Sequence, residues 1–217
     1  MDMEENGVSI YGQNQPAMNY VMQSLMDNIY KLRTGMKEET GSDPVEHCLA
    51  RIKSEDSMRE KCERRNLPVT TQSALEVLTD AIGLRVVCAF IKDVYLVRDY
   101  LDQLPGCDIV EEKDYIKHAK PNGYRSLHLI LKVTVNPKEM EENGIEEFLP
   151  FYFAEIQLRT ISMDTWAALE HNMRYKHTIQ GNQKLIESEL KRCADELAAT
   201  DMSMQTIRDM INEEVSE

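Results

Sequence analysis

The stretch DYIKHAKPNGYRSLH, residues 114–128, is the part of the sequence around which the rest is arranged. Its Pro-Asn-Gly turn leads into an apolar run, residues 127–133, and this pattern is typical of a β-hairpin. A hairpin requires neither the three bases Lys117, Lys120 and Arg125 nor a tyrosine directly after the turn. These additional residues indicate a site that holds an anionic and flat ligand.

The composition is that of a soluble globular protein. With 217 residues, the chain is long enough for one domain with a buried core, or for one domain with helical extensions. Hydrophobic residues make up 42% of it and charged residues 29%, which argues against a disordered chain. The net charge of −13 disfavours a general nucleic-acid coat, because such binding depends on neutralising phosphates. It leaves room for a local basic pocket.

Cysteine usage and the N-terminal residues bear on the compartment. The five cysteines are scattered, and no pair has the spacing of metal ligands, so we expect reduced thiols. The acidic start carries no signal peptide pattern, and no apolar run approaches the ~20 residues that span a bilayer. We therefore expect a cytoplasmic protein with no membrane partner.

The first third of the chain is predicted to be helical. After a loose lead-in, residues 1–16, apolar side chains recur at helical spacing from Met18 to Leu32, which predicts a helix that ends near Gly35. Its methionine-rich stripe is interpreted as core or as a subunit interface. Residues 45–65 are also predicted to form a helix, rich in bases. These bases form a solvated face, or those near its start hold phosphate at the helix N-terminus.

The middle and the end of the chain predict a mixed sheet flanked by helices. We expect strands at 84–90, 108–111, 127–135 and 148–160, and helices at 93–104, 161–176 and 185–214, the last broken near 198–203. Residues 136–147 form an exposed acidic insertion in this interpretation. The predicted core of helix 161–176 consists of Trp166, Leu169 and Met173. The fold class is therefore α/β (α+β), with N- and C-terminal helical extensions.

The predicted strand 148–160 alternates in character. One face carries the apolar side chains Ala154, Ile156 and Leu158. The other face carries Glu155, Gln157 and Arg159. Such a charged row lies on a solvated outer face or in a cleft, and strand neighbours on both sides favour the cleft.

Asp80 and Arg85 frame the start of the first buried strand. Because a buried arginine is costly unless it is paired, the two residues form either a structural ion pair or a metal-ligating acid beside a nucleotide-contacting base. No Walker, Rossmann, nucleophile-elbow or zinc pattern occurs. Two acids, Asp80 and Glu155, among many bases suit Mg²⁺ and a polyphosphate.

Four motifs occur in order between residues 46 and 176. They are RxKxxxS (51–57), DxxGxR (80–85), DYIKxxKxNGYRSxH (114–128) and EIQxRTxxMxxWAxxEH (155–171). In this order and spacing they resemble the synthetase domain of the RelA/SpoT family, which makes the alarmone (p)ppGpp, and in particular a stand-alone small alarmone synthetase of the RelQ type. The resemblance divides the chain into an N-terminal helical extension (1–45), a catalytic domain (46–178) and a C-terminal helical extension (179–217).

The resemblance implies a fold similar to that of nucleotidyltransferases. It also implies a specific reaction. ATP would donate its β,γ-pyrophosphoryl group to the ribose 3′-OH of GDP or GTP, leaving AMP. Asp80 would bind Mg²⁺, and Glu155 would assist the metal or deprotonate the 3′-OH. Residues implied on the ATP side are Arg51 and Arg85, which would sandwich adenine, and Lys53, Ser57 and Lys61, which would hold the phosphates. Residues implied on the acceptor side are Tyr124, which would stack on guanine, and Lys113, Lys120, Asn122, His128, Gln157 and Arg159.

The resemblance also bears on assembly and regulation. It implies a homotetramer and leaves regulatory binding of an alarmone or of single-stranded RNA as an open expectation. Two other functions remain open on the residues alone: a catalytically inactive guanine-nucleotide or RNA-binding module on the same scaffold, and a nucleotidyltransferase that releases pyrophosphate. Identification of the by-product distinguishes the synthetase, which releases AMP, from the nucleotidyltransferase, which releases pyrophosphate.

Overall fold

The computed structural model describes residues 9–176 and 182–216. Its centre is one five-stranded sheet with the strand order β1-β2-β5-β4-β3. The strands are β1 Val45–Ile52, β2 Ile82–Cys88, β3 Cys107–Asp114, β4 Leu127–Thr134 and β5 Phe151–Thr160. Only the central pair β2 and β5 is parallel, and the other neighbours are antiparallel. The predicted mixed sheet is confirmed.

Helices flank this sheet. They are α1 Gln15–Thr40, α2 Glu55–Arg64, α3 Ile91–Asp102, α4 Pro137–Glu142, α5 Ile161–Lys176 and α6 Gln183–Ser216. A single π-helical turn, Ser73–Val77, precedes β2. No helix in the described part of the chain is both long and apolar enough to cross a membrane. The boundary expected between residues 178 and 179 lies outside the described residues.

The core forms on one face of the sheet, as the period-two pattern of β5 predicts. Ala154, Ile156 and Leu158 are fully buried, while Glu155 and Gln157 on the opposite face are only partly covered. The same core contains one face of α1, including Met18, Leu25 and Ile29. The stripe on α1 is therefore core within a single chain.

Ile156→Ala is expected to lower the free energy of unfolding by about 2–5 kcal/mol, because it leaves a cavity in the centre of a packed sheet. Ile156 lies on the central strand β5 between β2 and β4, with no exposed surface. Urea denaturation followed by circular dichroism measures the change. The control is Val110→Ala, at a position that is 51% exposed, where a loss of similar size would contradict the argument.

The end of α1 differs from the prediction. The helix continues through Gly35 and stops at Gly41, which has φ +72° and donates its backbone N–H to the Lys37 carbonyl. A helix accepts an interior glycine such as Gly35 at a cost of about 1 kcal/mol, whereas a glycine in the left-handed conformation bonds to one of the last carbonyls and ends the helix. The stop signal is therefore the later glycine.

Residues 45–52 are a strand, so the prediction of one helix over 45–65 is wrong for its first half. β1 is an edge strand whose exposure alternates from His47 to Ile52, but its residue types do not follow that alternation, because apolar Leu49 lies on the exposed face. Its pairing with β2 therefore identifies it as a strand better than its own pattern does. The helix α2 begins at Glu55, with Ser54 as its N-cap. Two acids in its first turn, Glu55 and Asp56, complement the helix dipole there.

The predicted loose lead-in is partly packed. Tyr11 is 1% exposed, and its hydroxyl donates to the Lys53 carbonyl over 2.7 Å. The hydroxyl of Ser9 and the backbone N–H of Ile10 both donate to the Glu55 carboxylate. These bonds tie the segment before α1 to the connection between β1 and α2.

The insertion at 136–147 is mostly exposed, as predicted, but it contains α4, and its Met140 is fully buried. Two predictions about other helices are wrong. On α5, Trp166 is buried as predicted, but Leu169 and Met173 are exposed. The last helix is unbroken through 198–203 because the alanines there favour helix and Asp201 bonds to Thr160 instead of ending the helix.

Candidate active site

The strand register brings the polar residues of four strands into one row. Arg85 on β2 lies opposite Gln157 on β5, Gln157 lies opposite His128 on β4, and His128 lies opposite Lys113 on β3. In the adjacent row, Arg51 on β1 is aligned with Gly83 and Gly83 with Glu155. The face of β5 that carries Glu155 and Gln157 therefore lies in a cleft, as predicted.

A cavity of about 270 Å³ opens between β1, β2 and β5. Its charged and polar lining consists of Arg51, Lys53, Asp80, Arg85, Glu155 and Gln157. Gly83 forms part of its floor, and a Cβ there would meet only the Arg51 carbonyl oxygen among the described atoms, at 3.9 Å. The space above Gly83 is thus left for a ligand between the two arginines.

Asp80 lies at the edge of this cavity with its two oxygens in different environments. Oδ2 accepts from Lys53 Nζ at 2.8 Å and pairs with Lys61 Nζ at 2.7 Å. Oδ1 is buried and has no hydrogen-bond partner among the described residues. Burial would raise the pKa of Asp80, but the bonds from the two lysines outweigh it and lower the pKa, so the carboxylate is ionised at neutral pH.

Glu155 faces the same space from β5. His128 Nδ1 lies 3.4 Å from its Oε1. The hydrogen bond from His128 lowers the pKa of Glu155, despite opposition from burial and from the like charge of Asp80. Glu155 is therefore a carboxylate at neutral pH. It borders the cavity and also lies next to His128.

The acidic pair fits a divalent cation. Buried Asp80 Oδ1 is an unused acceptor beside a second ionised carboxylate. Among the described residues no group of three or more His, Cys, Asp or Glu side chains could enclose a metal by itself. This matches Mg²⁺, which is held by one or two carboxylates and completes its shell with water and substrate phosphates.

We name Tyr124, His128, Gln157 and Arg159 the acceptor cluster, after the acceptor side to which the sequence resemblance assigns them. The Tyr124 hydroxyl lies 2.7 Å from His128 Nε2 and accepts from Arg159 at 2.9 Å. Arg159 also donates to Gln157 at 2.8 Å, and its guanidinium lies 5.4 Å from the centre of the Tyr124 ring. Because ionised Glu155 can only accept, Nδ1 of His128 carries the proton towards it, and Nε2 of the neutral histidine then accepts from the Tyr124 hydroxyl. The cluster thus connects Tyr124 to the acidic pair.

The three bases of the opening stretch have different partners. Lys120 lies over the rings of Tyr115 and Tyr124, 4.5 and 4.7 Å from their centres. Lys117 pairs with Asp114, and Arg125 donates to Asp195 on α6. The interpretation of all three as an anion site is therefore wrong for Arg125, which is a structural contact.

The remaining predicted site residues lie at the margins. Ser57 is exposed in the first turn of α2, where its hydroxyl accepts from Ser54. Lys113 is exposed on β3 and pairs with Glu111. Asn122 accepts the backbone N–H of Tyr124 and so shapes the turn. None of these three lines the cavity.

The structure also corrects the alternative pairing of Asp80 with Arg85. Arg85 instead lies 3.5 Å from Asp164 on α5, which also accepts from Arg159 at 2.9 Å. Asp164 is not among the predicted site residues, although it lies in the first turn of the helix that follows Arg159. Tyr115 is also outside the predicted set, and its ring packs edge-on against both Tyr124 and His128.

This arrangement can bind a nucleotide on each side of an acidic pair. One side offers two arginines and two lysines for a base and its phosphates, and the other offers an aromatic platform among cations. The pattern suits transfer of a phosphoryl group between two bound nucleotides, because cations neutralise the charge that develops on the transferred group.

Comparisons with known proteins agree with this chemistry. The sequence profile described as "Region found in RelA / SpoT proteins" matches residues 50–180. GTP pyrophosphokinase YwaC of Bacillus subtilis (strain 168) is 43% identical over 155 residues, which cover 71% of this chain and 70% of that protein.

Solved structures of small alarmone synthetase 1 from Bacillus subtilis share the fold. The structure bound to its product pppGpp matches with a TM-score of 0.75 and 27% identity, over 89% of this chain and 94% of that chain. The structure bound to AMPCPP matches with a TM-score of 0.70 and 26% identity, over 90% and 94% of the two chains. Since the profile covers more than half of the chain, this protein belongs to the RelA/SpoT family.

Proposed function

We propose that this protein is a GTP/GDP pyrophosphokinase that makes (p)ppGpp and AMP. The 3′ oxygen of GDP or GTP attacks the β-phosphorus of ATP, the bond from that phosphorus to the α,β-bridging oxygen breaks, and AMP leaves. The observation that carries the proposal is buried Asp80 Oδ1, which has no partner among the described residues. Asp80 lines the cavity together with two arginines and Glu155, and Glu155 in turn approaches His128 of the acceptor cluster. The relatives' names and ligands support the same reaction.

The ATP side is assigned to the cavity between β1, β2 and β5. Arg51 and Arg85 border it, and a planar guanidinium stacks well on adenine. Lys53 and Lys61 already converge on Asp80, so their charges lie where polyphosphate would meet that acid. Ser57 adds a hydroxyl at the start of α2. Mg²⁺ held by Asp80 and Glu155 would supply further neutralisation of phosphate charge.

The acceptor side is assigned to Tyr124 and its surroundings. The Tyr124 ring offers a face for guanine, with Lys120 nearby for phosphate. His128, Gln157 and Arg159 would contact the ribose and phosphates, and Lys113 and Asn122 would complete this side. His128 links the site of the attacking hydroxyl to Glu155. Glu155 therefore lies where it would act as a metal ligand or accept the 3′-OH proton.

Incubation with ATP and each of GMP, GDP and GTP, with products identified by mass, tests the proposal. We expect AMP and a guanosine polyphosphate two phosphates richer than the acceptor, in a reaction that needs a divalent cation. Release of pyrophosphate instead of AMP would indicate a nucleotidyltransferase. Guanine-nucleotide binding without turnover would indicate the inactive binding module, which the intact acids and Tyr124 disfavour.

We also propose a homotetramer, supported by apolar surface on α6. Met204, Ile207 and Ile211 recur at helical spacing and are each about half exposed. Ile207→Glu is expected to shift the protein to a smaller species in size-exclusion chromatography with light scattering, whereas Thr206→Glu, at an exposed position away from the face of these three residues, is the control. A monomeric wild-type protein would contradict the proposal. Regulatory binding of an alarmone or of single-stranded RNA stays a prediction.

A further inference from the structure

The helix α6 packs against the back of the acceptor turn at a single glycine. Gly123 is buried with φ +92°, and a Cβ added to it would lie 2.6 Å from Ala194 Cβ and 3.1 Å from Lys191 Cα. The turn leaves no room for a side chain on this side. Ala194 is itself 5% exposed, so the contact is part of the packed interior.

An arginine fastens the same turn to α6. Arg125 donates to the Asp195 carboxylate at 3.0 Å and to the Ala194 carbonyl at 3.4 Å. It also donates to the carbonyl of Gly123 at 3.2 Å. One guanidinium thus holds both the helix and the turn that carries Tyr124.

Two backbone hydrogen bonds tie Tyr124 to the turn. The Gly123 N–H donates to the Lys120 carbonyl, and the Lys120 N–H donates to the Tyr124 carbonyl. On its other side, the Tyr124 ring packs edge-on against Trp166, with ring centres 6.4 Å apart. Trp166 Nε1 in turn donates to the Leu190 carbonyl of α6. A shift of α6 would therefore move Tyr124 from both sides.

We propose that Ala194 and Asp195 of α6 are positioning residues for the acceptor nucleotide. Their contacts fix the distance between α6 and the turn at Gly123, and this distance determines the orientation of the Tyr124 ring. The inference rests on the proposed acceptor role of Tyr124. It predicts an effect on one substrate alone, because the cavity assigned to ATP is lined by β1, β2, β5, Lys53 and Asp80 and, within the described part of the chain, by no residue of α6.

Gly123→Ala is the principal test. Displacement of Tyr124 by the new Cβ is expected to raise KM for GDP and GTP by about tenfold or more while KM for ATP stays unchanged. The matched control is Gly144→Ala, because Gly144 also has positive φ, at +69°, but no described atom lies within 4 Å of the point that its Cβ would occupy. Both variants place a Cβ at a positive φ, so Gly144→Ala controls for the general cost of such strain, whereas strain next to Tyr124 arises only in Gly123→Ala.

A second substitution separates the contact from local strain. Ala194→Gly removes the atom that a Cβ at Gly123 would meet, so the double variant is expected to recover part of the lost acceptor affinity. Strain confined to the turn would give no recovery. Emission of Trp166, the only tryptophan of the chain, is expected to shift in Gly123→Ala and to return towards wild type in the double variant.

Asp195→Ala carries the same test if Gly123→Ala does not fold, with Glu196→Ala on the same helix as its control. A rise in acceptor KM in Asp195→Ala alone supports the inference. Unchanged acceptor KM in a folded, active variant overturns the role of α6 and leaves the proposed function intact. If the wild-type protein forms no product, the proposed function fails, and GDP binding followed by Trp166 emission still decides whether α6 positions the acceptor site.

Discussion

Asp80→Asn is expected to lower kcat/KM for pyrophosphoryl transfer by about 10³-fold or more. The reason is that loss of the charge that would hold the metal raises the activation free energy by several kcal/mol. Asp80 is the carboxylate whose buried Oδ1 has no partner in the described chain and whose Oδ2 meets two lysines. Asparagine keeps the shape but removes the charge that would hold a cation. Chromatography of AMP and of the guanosine polyphosphate measures the loss.

The control for this substitution is Asp99→Asn, since Asp99 is an exposed acid that pairs at the surface with Arg98. It should leave kcat/KM within the error of the wild type. ATP binding measured without metal should persist in Asp80→Asn, because Lys53 and Lys61 lose a competing partner and remain available for phosphates. Wild-type turnover in Asp80→Asn would remove Asp80 from the reaction, whatever the fold.

The sequence predicted the central strands because their pattern is local. On β5, the alternation of Ala154, Ile156 and Leu158 with polar residues is visible without knowledge of any partner. The same alternation placed Glu155 and Gln157 on one face, and strand pairing then aligned Gln157 with Arg85 and His128. The shared face of Glu155 and Gln157 could therefore be predicted from local pattern, whereas the grouping of the acceptor residues came from the family resemblance.

The rest depends on contacts between distant residues. The residue types of β1 do not alternate, because apolar Leu49 lies on its exposed face, and the basic residues that continue into α2 resemble a helix face. Arg125 belongs to the acceptor motif in sequence, but its partner Asp195 lies 70 residues later. No local pattern indicates that α6 approaches Gly123 so closely. Packing of α6 on the turn is a tertiary fact that sequence periodicity does not contain.

Glu155→Gln is expected to reduce kcat/KM by about 10²–10³-fold and to raise the concentration of Mg²⁺ needed for half-maximal rate. The lowered pKa of Glu155 makes it a weak proton acceptor but a good oxygen ligand, so the metal role is favoured over the base role. Activity as a function of Mg²⁺ concentration distinguishes the two. Glu142→Gln on α4 is the control, and an unchanged Mg²⁺ requirement with lost activity would instead assign Glu155 as the base.

The same substitution has a signature in stability that does not depend on turnover. Because the native pKa of Glu155 lies below its unfolded value of about 4.3, ionised Glu155 stabilises the fold above that pH, and this contribution disappears as the pH falls through the native pKa. The difference in free energy of unfolding between the wild type and Glu155→Gln is therefore expected to be larger at neutral pH than at acidic pH. Urea denaturation of both proteins at neutral and acidic pH measures this difference. A gap that stays constant with pH would mean that the bond from His128 does not favour the charged carboxylate, and the argument for Glu155 as a resident metal ligand would lose its physical basis.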